Sequence, residues 1–208
     1  MATLAVDSSR EYDAWLVDLD GTLYRPKPLK LMMALSLVLF GFRHVKLLRR
    51  FRHEHEALRE HLTEPVESPF AIQLERTASA TKRPVDEVRG IITDWMVARP
   101  GRFIRWFRRQ SLLDEIQRFH ADGGKTALVS DYPAQLKLEA LGAVELFDVV
   151  IANGEPDGPS RLKPWPDGYL KAAERLGVDA KRCLVIGDRD DADGAAARYA
   201  GMGFRLVR

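Results

Sequence analysis

The sequence predicts an α/β protein: a parallel sheet with helices on both faces, interrupted after its first strand by an all-α segment. Three observations predict it. From about residue 111 to the end, short continuously apolar runs alternate with amphipathic helical runs, the pattern of strands buried on both faces. Near the N-terminus, residues 14–17 form a similar apolar run that breaks abruptly into Asp18-Leu19-Asp20-Gly21-Thr22. Between the two, residues 28–109 carry helical periodicity with no convincing strand.

The elements follow in order. Residues 14–17 form the first strand. Residues 31–42 are almost wholly apolar. Residues 44–62 form a charged helix with Val45, Leu48, Phe51 and Leu58 on one side, broken by Pro65 and Pro69. Another helix starts near Pro84-Val85-Asp86-Glu87 and runs to Met96 or Val97. Leu112, Leu113, Ile116 and Phe119 mark a helix that Gly123-Gly124 stops. Strands at residues 126–129, 149–151, 183–186 and 204–207 then alternate with helices at 134–141, 166–176 and 194–200. This divides the chain into a Rossmann-like core, residues 1–24 and 106–208, and a helical cap, residues 25–105.

Composition narrows the class. A chain of 208 residues can bury a core, and 46% apolar with 30% charged residues excludes disorder. One cysteine, Cys183, excludes an internal disulfide framework; inside an apolar run it reads as a buried strand residue. The first ten residues lack a basic region followed by an apolar run, so a cytoplasmic location is expected. The net charge of +2 conceals an uneven distribution: residues 24–110 hold 18 Lys+Arg against 9 Asp+Glu, and the remainder is acidic. Acidic residues to hold a cation and basic ones to draw in an anion would suit that division, as would two solvated faces. No nucleic-acid recognition module accompanies the basic residues, so no nucleic-acid partner is expected.

In open α/β sheets ligands sit at the carboxyl ends of the strands. Those ends bear Asp18 and Asp20, then Ser130-Asp131, then Gly187-Asp188-Arg189-Asp190-Asp191-Ala192-Asp193, while Lys163-Pro164 lies in the loop after the third strand. These residue types suit phosphoryl transfer. A carboxylate can attack phosphorus and split one hard step into two. A hard cation, magnesium (Mg2+), can neutralise the approaching anions. A lysine and a hydroxyl can hold the phosphoryl oxygens. A second carboxyl group can protonate the leaving oxygen and then deprotonate water.

Asp18-Leu19-Asp20-Gly21-Thr22-Leu23, with Ser130, Lys163 and Gly187-Asp188…Asp193, resembles the four motifs of the haloacid dehalogenase superfamily, in order. The resemblance covers the sheet domain. It implies that Asp18 is nucleophile and metal ligand, and that Asp20 is general acid/base and metal ligand through its backbone carbonyl. It further implies that Ser130 and Lys163 bind the phosphoryl group, Lys163 pairing with Asp18 as well, and that Asp188 and Asp193 complete the metal site. Asp131 and Arg189, beside motif residues, are candidates for site or surface, and Asp131 is taken as substrate-binding. Lys171 or Arg161 could replace Lys163; Asp190 and Asp191 could be solvated; Asp193 could cap the following helix. An aspartate at position 20 favours phosphatase or phosphomutase chemistry over dehalogenation, with a Mg2+-dependent phosphomonoester hydrolase in first place. A phosphotransferase and an idle partner- or membrane-binding module are the alternatives.

Residues 31–42 hold one hydroxyl and no charge, too short for a membrane span of about 20 residues. A buried cap helix or dimer interface is the default. A face offered to a lipid-like substrate or a membrane surface is the alternative, and the basic run Arg43, His44, Lys46, Arg49, Arg50 and Arg52 would suit anionic head groups. The substrate is expected to be a phosphorylated small or lipid-like molecule, with its identity and the oligomeric state left open.

Overall fold

The computed structural model describes residues 11–208; the N-terminal residues that bear on a leader segment lie outside the described residues. Five strands form one parallel sheet: β1 (Ala14–Asp18), β2 (Lys125–Ser130), β3 (Val149–Ala152), β4 (Cys183–Gly187) and β5 (Gly203–Leu206), in the order β3-β2-β1-β4-β5. β1 is central, with Asp18 opposite Val129 of β2. Because successive side chains of a strand point to opposite faces, Val17, Leu128 and Ile186 enter one core while Leu16, Val129 and Val185 enter the other.

Helices α6 (Gln110–Ala121) and α7 (Gln135–Leu141) cover the first face, contributing Leu112, Ile116, Leu138 and Leu141. Helices α8 (Asp167–Leu176) and α9 (Ala195–Ala200) cover the second through Tyr169, Ala172, Leu176 and Ala196. These are the elements expected from the sequence, and Cys183 is buried in β4.

Between β1 and α6 the chain is helical. α1 (Pro26–Phe40), α2 (Val45–His61), α3 (Pro69–Thr81), α4 (Val85–Ile92) and α5 (Arg99–Ile104) follow one another, with a wider turn at Thr93–Ala98. Leu48, Phe51, Phe70, Leu74, Val88 and Ile92 pack into a third apolar cluster. α3 starts where the sequence suggested only a break. Pro69 occupies its first turn, where no N–H partner is needed, and the Ser68 hydroxyl accepts the Ala71 N–H at 3.2 Å. Leu29 and Ile104 join the sheet's own core. Entry and exit of the helical segment run side by side: Tyr24 bridges Arg108, and Arg25 N–H donates to the Phe107 carbonyl at 2.8 Å.

The apolar stretch is not a buried helix. Of α1 only Leu29 is buried, while Leu31, Leu35, Val38, Leu39 and Phe40 are 60–73% exposed, as is Phe42 beyond it at 76%. The helix lies on the outside of the helical layer, so its apolar residues outnumber the positions that face inward. Among the described residues no single helix is long and apolar enough to cross a membrane; α1 and the following Phe42–His61 meet that test of length and composition only together, across a 105° bend.

Phe51 is fully buried and stacks edge-on against Phe70 at 6.0 Å between ring centres. Phe51→Ala should therefore cost about 3–5 kcal/mol, measurable as a lower midpoint of urea unfolding.

Candidate functional site

Asp18 ends the central strand, so its carboxylate projects from the middle of the sheet's carboxyl edge. It is buried, and both oxygens are engaged. Lys163 Nζ lies 2.5 Å from Oδ1, and the Thr22 hydroxyl donates to Oδ2 at 2.9 Å. Lys163 also pairs with Asp193 Oδ1 at 2.7 Å and donates to the Val129 carbonyl at 3.1 Å. Tyr169 donates its hydroxyl to the same Asp193 oxygen at 2.8 Å. Burial disfavours the Lys163 charge, but Asp18 and Asp193 more than offset it, holding the ammonium well above its ordinary range.

Asp18, Asp188 and Asp193 each offer one carboxylate oxygen, all within 4.8 Å of one another. Asp188 reaches the group because position 21 is glycine. A Cβ there would stand 2.0 Å from Asp188 Oδ2, and the backbone has φ +105°. Gly187 is required similarly, since a Cβ would meet the Asp193 carboxylate at 2.4 Å. Burial, only partly countered by Lys163, pushes Asp18 up to about 8, and burial with the Asp193 charge raises Asp188. Three carboxyl groups thus face one ammonium. An all-oxygen donor set with excess negative charge fits a hard divalent cation.

Asp20 stands apart from that cluster. Its carboxylate receives Lys137 Nζ at 2.6 and 2.8 Å and the Tyr24 hydroxyl. Burial would raise Asp20, but Lys137 and Tyr24 prevail and hold it below its ordinary value. Ser130 is buried at the end of β2, its hydroxyl accepting the Tyr132 N–H at 3.2 Å. Asp131 accepts the Lys163 N–H at 3.3 Å, and burial raises its carboxyl group.

The alternatives left open by the sequence resolve geometrically. Lys171 bonds the Gly158 carbonyl and Arg161 pairs with Asp167, so both are turned to other partners. Asp190 and Asp191 are exposed and pair with Arg198 and Arg189. Asp193 does not cap α9. Gly194 holds that position, and Asp193 Oδ2 accepts the Arg189 N–H at 3.2 Å instead.

Sequence patterns missed the supporting groups. Lys137 lies one turn from Ala134 and Leu141 on the inward side of α7, a lysine at an otherwise apolar position; that misfit was the available signal. Asn153, buried after β3, accepts the Phe70 N–H at 3.0 Å and donates to the Asp131 carbonyl at 3.2 Å, tying the start of α3 to the site. Arg59 of α2 donates to the Lys163 carbonyl at 2.8 Å. Nothing in local periodicity marks Asn153 or Arg59. A cleft of about 830 Å³ opens over Asp18, Lys163 and Asp188 and runs beneath α1 and α2.

The order of these groups along the strand ends, together with the fold, decides the family: residues 12–201 match the model of the haloacid dehalogenase-like hydrolases. The chain belongs to the haloacid dehalogenase-like hydrolases. The phosphoglycolate phosphatase of Xanthomonas campestris is 39% identical to this hydrolase over 90 residues, covering 42% of this chain and 39% of that protein. The fructose-1-phosphate phosphatase YqaB of Escherichia coli is 41% identical over 69 residues, 33% of this chain and 35% of that one. The matches thus span about two fifths or less of those relatives' length. The L-2-haloacid dehalogenase of Xanthobacter autotrophicus shares the fold at a TM-score of 0.64 and 16% identity, covering 94% of this chain and 77% of that one. A phosphatase of the same superfamily from Thermococcus onnurineus does so at 0.59 and 20% identity, covering 94% and 86%.

His55 of α2 supplies a pH test of the helical layer. It stacks on Tyr132 at 4.3 Å between ring centres, and burial lowers its pKa from 6.5 to about 4. The folded protein therefore keeps it neutral where the unfolded chain takes up a proton. That contribution is complete above pH 6.5 and is lost as pH falls towards 4. His55→Phe should remove up to about 3 kcal/mol of this pH dependence, read from urea midpoints at pH 4 and 7.

Proposed function

We propose that this hydrolase is a Mg2+-dependent phosphomonoester hydrolase working through an aspartyl-phosphate on Asp18. One observation carries it: a carboxylate at the end of the central strand, gripped by Lys163 and Thr22, faces two further carboxylates at the floor of a cleft. The similarity to two phosphatases over the matched stretches supports the same reading.

Asp18, Asp188 and Asp193 would hold the ion, with the Asp20 carbonyl as a further ligand. Bound there, Mg2+ would screen the charge of nucleophile and phosphate and favour the ionised form of Asp18. Lys163, already on Asp18, would hold a phosphoryl oxygen as charge shifts, and the Ser130 hydroxyl a second. In the first half-reaction an Asp18 oxygen bonds to phosphorus while the ester P–O bond breaks, and the leaving oxygen takes a proton from Asp20. In the second, water attacks phosphorus, Asp20 accepts its proton, and the Asp18–phosphorus bond breaks to release phosphate. Lys137 and Tyr24 hold Asp20 ionised, the form the second step uses. For the first step the proton enters with a substrate monoanion, passes from the phosphoryl oxygen to Asp20 and from Asp20 to the leaving oxygen, since a phosphate monoester loses its last proton near pH 6. A departing halide would need no such group, so Asp20 and its two partners favour phosphate esters over haloacids. The helices from Pro26 to Ile104 would serve as the cap that closes over the ester's leaving group.

Asp18→Asn should abolish turnover of p-nitrophenyl phosphate while the circular dichroism spectrum is unchanged; retained turnover would place the nucleophile elsewhere. Activity should vanish with chelator and return with Mg2+ but not Ca2+, whose longer bonds and looser geometry misplace the reacting anions. With p-nitrophenyl phosphate, whose leaving group departs without a proton, Asp20→Asn should still form the phosphoenzyme slowly and then accumulate it, visible by intact mass, because it keeps the backbone carbonyl and removes the proton acceptor.

A further inference from the structure

The cleft over Asp18 is larger and more apolar than a phosphate group needs. At about 830 Å³ it lies towards the top of the range of small-molecule sites, about 300–1,000 Å³. α1 lines it with Met33, Ala34, Leu37 and Val38, and Leu48 and Trp95 complete the wall. The α1 positions recur three and four residues apart, so one whole side of the helix faces the cleft. From Leu31 to Phe42 that helix and its end carry no charge and a single hydroxyl, Ser36, which does not line the cleft. A polyol substrate reaching this wall would lose hydrogen bonds to water and find none in return. Arg49, Arg52 and Arg59 of α2 border the same cleft beside a single carboxylate, Glu56, and bring positive charge towards an incoming anion. The cavity therefore combines an ionic floor at Asp18 and Lys163 with charged groups from α2 and with Lys30, and with an apolar wall from Met33 to Val38 of α1.

We propose that the substrate is an amphiphilic phosphomonoester, its phosphate on the Asp18–Lys163 floor and an unbranched apolar chain along the inner side of α1. This rests on the phosphatase function proposed above and specifies the alcohol half of the ester. A chain lying on Met33, Leu37 and Trp95 is driven there by removal of its methylenes from water, so affinity grows with chain length.

The test uses the full chain with Mg2+ and methyl, butyl and octyl phosphate below their aggregation concentrations, with p-nitrophenyl phosphate as a chain-independent control. kcat/KM should rise up to about fourfold per methylene from methyl to octyl. Calorimetry should show octylphosphonate, which cannot be hydrolysed, binding more tightly than methylphosphonate in the same progression. Ala34→Glu and Val38→Glu alter exposed positions of the wall, so folding is not at stake. Each should cut the octyl-to-methyl ratio of kcat/KM by about fivefold or more. A lysophosphatidate supplied free in solution or within phosphatidylcholine vesicles then distinguishes a soluble amphiphile from one drawn out of a bilayer, and turnover in either form supports the class. If octyl phosphate is turned over no faster than methyl phosphate while p-nitrophenyl phosphate is hydrolysed, the amphiphile proposal falls and the phosphatase stands. If no phosphate ester is hydrolysed at all, both fall.

Discussion

Lys163 is the constraint around which the site is organised. A buried ammonium costs several kcal/mol unless its charge is matched at short range. Here Asp18 and Asp193 both match it, and the Val129 carbonyl accepts a further hydrogen bond from it. Asp18 and Val129 lie in β1 and β2 and Asp193 in the turn after β4, so one cation ties together two strands of the carboxyl edge and the turn that follows a third. Tyr169, packed in the core, donates to the Asp193 oxygen that Lys163 also binds. With Asp188 brought in over Gly21, the carboxyl groups exceed the cation that orders them. The excess makes the cluster receptive to a divalent ion while the fold alone keeps it assembled.

A second pair, Lys137 with Asp20, lies close to the first but shares none of its hydrogen bonds. The two carboxyl groups of one short motif experience opposite environments: burial governs Asp18, whereas a lysine and a tyrosine govern Asp20. Nearby groups pushed in opposite directions are what two different chemical roles require. Removing either lysine would leave buried carboxyl groups without their matching charge, so stability and site geometry are bound together here.

The helical layer is joined to the site by polar threads as well as by its two connections. Arg59 touches the backbone of Lys163, and Asn153 joins the start of α3 to the loop after β2. The layer has its own apolar cluster, yet Leu29 and Ile104 belong to the sheet's core. Its outermost helix, α1, is apolar both where it lines the cleft and where it meets solvent. That two-sided character cannot be explained by packing within the layer.

The sheet was legible because strands buried on both faces must be continuously apolar, and residues 14–17, 126–129 and 183–186 are. Asp18, Asp188 and Ser130 were legible because they end such strands, and ligand sites gather there. Lys163 was legible only by its place in the order of motifs. Local pattern says nothing of contacts made across distant stretches of chain. It therefore missed Lys137, 117 residues from Asp20, and Asn153, 83 residues from Phe70. Pro69 read as a break because proline ends helices, whereas with Ser68 before it the same residue starts one. The apolar run at α1 suggested burial, since hydropathy records what a residue prefers and not what the neighbours supply. Sequence alone determined the sheet, the strand-end carboxylates and the helical insertion, because these follow from local periodicity and chain order. Tertiary structure alone decided which charges meet, which helix stays uncovered and how far the cleft extends, because each depends on groups that only folding brings together.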